Sequence, residues 1–259
     1  MTVQFDGLAV RWLGYSTVRI ETPRGLVIYL DPGRYGTLDG TWRGPDAHPP
    51  AVDYHARDGD LVCVTHDHHY DSDAIERVAA EDATVVVHEA VDAANIDRDV
   101  AAVEDLPYDV RRVDDETHLR LDLLADAADA DDAAGGDPGT VDLFTVAAYN
   151  DPDGPRDAHA PGEGCGFRLS VDDTSVFWPG DSDVLEGHAA LDVDLFLANV
   201  AGAVVMDRHE AAALAADLDP GLVLPVHYNT IDLLAADSRE FAADVAASGV
   251  PVVLDEGPD

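Results

Sequence analysis

The ten residues from Val64 to Asp73, VTHDHHYDSD, hold three histidines and three aspartates. They follow the apolar run Leu61-Val62-Cys63, which predicts a short buried strand ending where the polar residues begin. A polar turn capping that strand is the bland explanation. A metal site is the sharper one, because neutral imidazole and carboxylate oxygen are the ligands that a borderline cation such as Zn²⁺ takes. His66 and His68 stand two apart, so an extended segment would project both from one face, as a chelating pair requires. Asp71 falls within reach of the same cavity, or else caps the helix that follows. That helix is expected over DSDAIERVAAED, with Asp73 and Glu76 as a capping pair. TVVVHE reads as the next strand, completing a strand-loop-helix-strand unit.

Upstream, alternating apolar residues predict strands at Ala9 to Trp12, Thr17 to Glu21 and Leu26 to Leu30, separated by turns at Gly14 and Pro23-Arg24-Gly25. Downstream, an acidic low-complexity stretch, about 122–140, is expected to form a solvated surface loop in its middle. Further strands follow in VDLFTVAAYN, GFRLSVDDTSVFWPGDSD and DLFLANV. Asp207 and Glu210 open a helix running to about Asp217, GLVLPVHY is a strand, and SREFAADVAASG is a helix closed by Gly249. No repeat and no linker divides the chain, so one domain over residues 1–259 is expected.

The 259 residues include 53 acids and 15 bases, a formal net charge of −38, and every base is arginine. Disorder does not fit, because 46% of residues are hydrophobic and regularly spaced. The carboxylates run along the whole chain instead of forming one acidic tail. Adaptation to concentrated salt, where screening removes most repulsion between exposed charges, accounts for this best. The lysine-free, aspartate- and alanine-rich composition resembles that of proteins from salt-loving archaea. At molar salt the Debye length is roughly 3 Å, so the charge says little about partners. Two cysteines, no basic leader and no long apolar run point to a cytoplasmic protein with no membrane span.

Three further stretches carry candidate ligands. In WPGDSD the Pro179-Gly180 turn throws Asp181 out at the end of a strand, although turn aspartates are common. In LPVHYN, His227 ends an apolar strand, where a satisfied structural histidine is the commoner case. His159 lies in a loop rich in proline and glycine, a composition often found simply at the surface. Each signal is weak alone, but all lie in loops at strand ends, where α/β proteins build their sites.

THDHHYD, PGDSD and PVHYN, in this order, resemble the metallo-β-lactamase superfamily. The opening strands and Gly14-Tyr15-Ser16, where a Gly-His-Ser turn is usual, resemble the branch related to ascorbate-phosphate lactonases. The resemblance covers nearly the whole chain apart from the acidic loop. It implies an α/β fold, an αββα sandwich of two mixed sheets flanked by helices, with metal at one edge between the sheets. The family motif is His-x-His-x-Asp-His. His66 and His68 match its first pair, but Tyr70 and Asp71 occupy the last two positions. With His69 treated as an insertion, Asp71 becomes the motif aspartate and Ser72 the missing histidine. Asp181 matches the aspartate that bridges two metals, and His227 the last histidine. The middle histidine falls near Asn150, with His159 the nearest imidazole and His88 a weaker substitute.

The resemblance implies a metal-dependent hydrolase acting on an ester, lactone or phosphodiester, with a metal-held water of pKa lowered to ~7. His66, His68 and His159 would form one site. Asp181 would bridge, and Asp71 and His227 would complete a second. One or two Zn²⁺ ions are expected, with Mn²⁺ or Fe²⁺ favoured further if a carboxylate replaces an imidazole. Asp181 and Asp71 are the expected catalytic carboxylates. Tyr15 and Tyr228 are the expected substrate contacts, placed to hydrogen-bond a developing oxyanion. A small-molecule substrate is expected, with self-association left open. A nucleic-acid phosphodiesterase would need a track of arginines that is absent, and a flavin-linked di-iron protein would need a further domain. A degenerate member that binds metal or ligand without turnover is the remaining alternative.

Overall fold

A computed structural model describes residues 1–123 and 139–257. Its elements in chain order are β1 (Val3–Phe5), β2 (Leu8–Gly14), β3 (Thr17–Glu21), β4 (Val27–Leu30), β5 (Gly59–Val64), α1 (Ser72–Val78), β6 (Ala79–His88), β7 (Asp109–Val113) and β8 (His118–Asp122). There follow β9 (Thr140–Ala147), β10 (Cys165–Val171), β11 (Thr174–Trp178), β12 (Leu195–Asn199), α2 (Arg208–Leu218), β13 (Leu222–Val226) and α3 (Ser238–Ala247). The middle of the acidic stretch expected to be a surface loop lies outside the described residues.

Two mixed sheets result. The first runs β1 to β7 in sequence order, antiparallel through β4 and parallel from β4 to β7. The second runs β13-β12-β11-β10-β9-β8, parallel from β13 to β11 and antiparallel beyond. Strand β5 explains the layering. Leu61 and Cys63 point into the apolar core shared with Phe167, Leu169, Val176 and Trp178 of the second sheet. Val62 and Val64 point the other way, onto Ile75 and Val78 of α1. A strand covered on both faces loses its polar alternation, which is why it reads as a plain apolar run. Helices α2 and α3 cover the outer face of the second sheet, contributing Leu214, Phe241 and Val245 to the core around β12 and β13. The αββα sandwich follows, and no helix among the described residues is long and apolar enough to cross a membrane.

Two helix expectations fare differently. Asp207 and Glu210 form a reciprocal capping box, and the helix runs from Arg208 to Leu218 as its start signal predicts. The helix after the histidine-rich stretch stops at Val78, four residues short of expectation. From Ala79 the chain is extended, with Ala79 paired to Gly59, so strand pairing overrides the helix propensity of Ala-Ala-Glu-Asp. Its cap is Asp71, whose side chain accepts from the Ala74 amide, not the pair Asp73 and Glu76. Asp73 instead bonds Arg77 one turn on, at 2.6 Å.

Candidate metal centre

The parallel strands β4, β5, β12 and β13 end at the same edge of the sandwich, and the loops leaving them meet there. The chain leaves β5 through Thr65 and then turns, with the amides of His69 and Tyr70 bonding back to the carbonyls of His66 and Asp67. Because the segment is a turn and not extended, His69 comes round beside His66, their ring centroids 4.3 Å apart. In the second sheet, Gly180 at φ +65° turns the chain out of β11; a Cβ there would come within 2.5 Å of the Cys165 carbonyl oxygen. That turn delivers Asp181 between the sheets. His227 follows β13 in the left-handed region (φ 58°), its amide bonded to the Tyr15 carbonyl of the first sheet. The loop carrying His159 is held by Asn150, whose Oδ1 accepts from the amides of Ala158 and His159. Arg156 ties the same loop to Asp183 and Glu210.

Four imidazoles therefore surround one buried carboxylate. His66 Nε2 and His159 Nε2 lie 3.7 and 3.5 Å from Asp181 Oδ2, and His69 Nε2 and His227 Nε2 lie 3.5 and 3.6 Å from Oδ1. His68 Nδ1 stands 3.2 Å from His159 Nε2 at the outer side. His66, His68 and His159 form one group whose ligand atoms lie within 4.8 Å of one another, and His66, His69 and Asp181 form another.

Hydrogen bonds behind the rings set which nitrogen faces the cluster. Asp31 accepts from the Thr65 amide (2.8 Å), Thr65 Oγ1 (2.9 Å), His69 Nδ1 (2.9 Å) and, across the sheets, Trp178 Nε1 (2.7 Å). Thr65 spends its hydroxyl proton on Asp31, so its oxygen accepts from His66 Nδ1 at 2.9 Å. His159 Nδ1 donates to the Val204 carbonyl at 3.2 Å. In His66, His69 and His159 the proton thus sits on Nδ1 and the Nε2 lone pair faces inward.

Inward lone pairs around a carboxylate repel one another unless something positive stands between them. His69 Nε2 and His227 Nε2 meet at 3.2 Å, but His66 Nε2 and Asp181 Oδ1 are buried without a hydrogen-bond partner. Burial and neighbouring histidines hold His66 well below the usual imidazole range, and burial takes His227 down to about 4. Burial would also lower His69, but Asp181 and Asp31 outweigh it and raise it. For Asp181, burial acts upward, yet the surrounding imidazoles, His227 foremost, hold it well below the usual carboxylate range. A charged carboxylate amid lone pairs suits a divalent cation, and the donor set of imidazole and carboxylate fits one.

The expected residues divide accordingly. His66, His68, His159, Asp181 and His227 come together. Asp71 does not: its Oδ1 accepts from Ala74 N and its Oδ2 from Arg34 N, so both oxygens are occupied at the helix start. Tyr228 is also elsewhere, its ring against Trp12 and its hydroxyl donating to Glu256. Tyr15 does stand at the cluster, its ring 4.8 Å from that of His227 and 5.1 Å from that of His69. Asn150 positions His159 and stays out of the cluster, and His88 groups with Asp114 and Asp115. Sequence reasoning missed His69, set aside as an insertion, and Asp31. The available signal for Asp31 was its place directly after an apolar strand, the same signal that singled out His227.

The sequence profile of the Beta-lactamase superfamily domain matches residues 9–227. The chain therefore belongs to the metallo-β-lactamase superfamily. It is 27% identical over 260 residues to a UPF0173 metal-dependent hydrolase of Thermococcus kodakarensis, covering 96% of this chain and 97% of the relative. A UPF0173 metal-dependent hydrolase of Thermodesulfovibrio yellowstonii is 24% identical over 257 residues, covering 93% and 86%. The fold resembles that of Igni18, a metallo hydrolase from Ignicoccus hospitalis, with a TM-score of 0.64, 19% identity, and 97% and 96% coverage.

Proposed function

We propose that the protein is a metal-dependent hydrolase that cleaves an ester, lactone or phosphodiester in a small molecule. The observation that carries this reading is the Asp181 carboxylate ringed by four imidazole nitrogens at 3.5–3.7 Å with no hydrogen-bond donor among the described residues. His66, His68 and His159 would hold one ion and His69 and His227 a second, with one oxygen of Asp181 offered to each. A divalent cation bound there supplies Lewis acidity and makes a water acidic enough to ionise near neutral pH. With Asp71 outside the cluster, no carboxylate replaces an imidazole. The nitrogen-rich set then favours Zn²⁺ over Mn²⁺ or Fe²⁺.

The chain's own residues do the remaining work. Asp181 stays ionised, so its oxygens serve as ligands and not as proton carriers. Asp31 and Thr65 keep the protons of His69 and His66 on Nδ1. Burial and the Asp181 charge raise Tyr15 well above the usual phenol range, so its hydroxyl remains a donor for an oxyanion. Trp178 of β11 backs His69, and Val204 in the loop after β12 lines the cavity. The resemblance to ascorbate-phosphate lactonases makes a lactone the first bond to try. The acidic, lysine-free composition supports a salt-adapted, archaeal setting, in which melting temperature should rise with salt toward molar concentrations, and the scarcity of cysteines supports a cytoplasmic one.

Elemental analysis of protein purified without chelator, combined with ester, lactone and phosphodiester assays, tests the reading. One to two equivalents of transition metal with turnover on one class is expected. Less than about half an equivalent, with no uptake on titration, would refute it. Full metal content with no turnover across the panel would instead favour a binding member of the fold.

A further inference from the structure

Above the cluster opens a cavity of about 270 Å³, lined by Tyr15, Arg34, Tyr35, Ile231, Leu233 and Leu234 besides the site residues. That is slightly below the usual range of small-molecule sites, roughly 300–1,000 Å³, so the occupant is small. Its walls differ in character. One side is apolar, from Ile231, Leu233 and Leu234. The other carries the Arg34 guanidinium, lying 4.6 Å from the centre of the Tyr35 ring and 5.9 Å from that of Tyr15.

Arg34 is held in place without being neutralised. Its Nη1 donates to the His68 carbonyl, and it forms no ion pair among the described residues. In a chain with 53 acids and 15 arginines, other arginines take carboxylate partners: Arg19, Arg77, Arg112 and Arg156 each do. The backbone is shaped for the placement. Gly33 has φ +113°, and a Cβ there would come within 2.4 Å of Ala74 and 2.9 Å of Asp71 Oδ2. Arg34 and Tyr35 also take left-handed backbones, at φ 68° and 53°. Asp71 Oδ2 accepts from the Arg34 amide at 3.1 Å, so the carboxylate that leaves the cluster fixes this arginine's main chain instead. A second guanidinium, Arg98, backs the neighbouring turn that carries His68, donating to the carbonyls of Asp67 and Tyr70. Burial and the Arg34 charge both lower Arg98 from the usual guanidinium range, as expected where positive charge gathers.

We propose that Arg34 anchors an anionic oxyacid group, carboxylate or phosphate, carried by the substrate away from the bond to be cut. The apolar part of that substrate lies against Ile231, Leu233 and Leu234. Arginine suits the task because its planar fork can pair with two oxygens at once, and the stacked tyrosine keeps it oriented. This inference rests on the hydrolase reading for the word substrate, but the binding it describes can be measured without turnover.

Calorimetric titration of wild type and Arg34→Gln with hexanoate, hexyl phosphate and the neutral hexanamide, at fixed ionic strength, tests it. The titrations are run on both metal-loaded and chelator-stripped protein. Expected is tighter binding of at least one anion than of the amide by wild type, retained on stripping. Arg34→Gln should weaken that anion by on the order of tenfold while leaving hexanamide and metal content unchanged. The tighter of the two anions identifies the oxyacid. Anion binding that disappears with the metal and is unaffected by Arg34→Gln would overturn the proposal while leaving the hydrolase reading intact. Equal weakening of all three compounds would also overturn it, since Arg34 would then only shape the cavity. Absence of metal uptake would refute the hydrolase reading, and the stripped-protein titrations would still decide the anchor.

Discussion

Asp31 and Asp181 are buried carboxylates on opposite sides of His69, and they are treated in opposite ways. Asp31 accepts four hydrogen bonds from backbone, hydroxyl, imidazole and indole, including one that crosses between the sheets. Asp181 accepts none among the described residues, and four imidazole nitrogens stand about half an ångström too far for good bonds. A buried charge with its donors supplied is structure. A buried charge left bare costs several kcal/mol unless something outside the protein completes it. The contrast separates the part of this edge that the chain finishes for itself from the part it leaves for a cation.

The largest effect expected from this contrast is at Asp181. Asp181→Asn keeps the shape and removes the charge, and should lower kcat by about a hundredfold or more at saturating metal. A folded variant retaining most activity would erase the distinction between the two carboxylates. Asp31→Asn should act through His69, since an amide can present its NH₂ to Nδ1 and favour the wrong tautomer. Metal affinity should fall roughly 10–100-fold, the usual cost of losing such support, with a smaller change in kcat once metal is saturating. Competition with a chromophoric chelator measures it, and unchanged affinity would mean that Asp31 is packing alone.

His48 extends the comparison to a histidine wired like Asp31. Its Nδ1 lies 2.8 Å from the Pro49 carbonyl, and its Nε2 accepts from the Tyr15 amide at 3.2 Å. Burial lowers it to about 4, against roughly 6.5 when unfolded. The unfolded chain therefore binds the proton first. Stability from this group is complete above pH 6.5 and is lost as pH falls toward 4. By pH 5 the loss should be on the order of 2 kcal/mol, read as the difference in pH dependence between wild type and His48→Gln in urea melts. Parallel curves would show that His48 is not held neutral. The smallest effect is at Asp71. Asp71→Ala should cost about 1 kcal/mol, as loss of a helix cap does, and leave metal content unchanged. A drop in bound metal would return Asp71 to the cluster and break the division drawn here.

Much of this was readable in advance because it is local. Strand β5 announces itself by a run of apolar residues, and the start of α2 by an aspartate and a glutamate three apart. His227 was legible because it directly follows an apolar strand, Asp181 because a Pro-Gly turn after one throws it out, and His66 and His68 because a family motif opens on them. The sequence by itself thus determined the strands, turns and caps, since those signals act over a few residues, while the sandwich and most of the candidate ligands followed from the family resemblance that its motifs carry. Only the tertiary structure decided between His69 and Asp71. That choice turns on whether the chain after Thr65 is extended or turned, and the turn is set by Asp31 holding both Thr65 and His69. The same packing selected His159 over His88 and Asn150, through bonds from Asn150 and Val204 that close across distant loops. It also moved Tyr228 out of the site and put Arg34 into it. Such assignments depend on which strand ends share an edge, and no spacing along the chain encodes that.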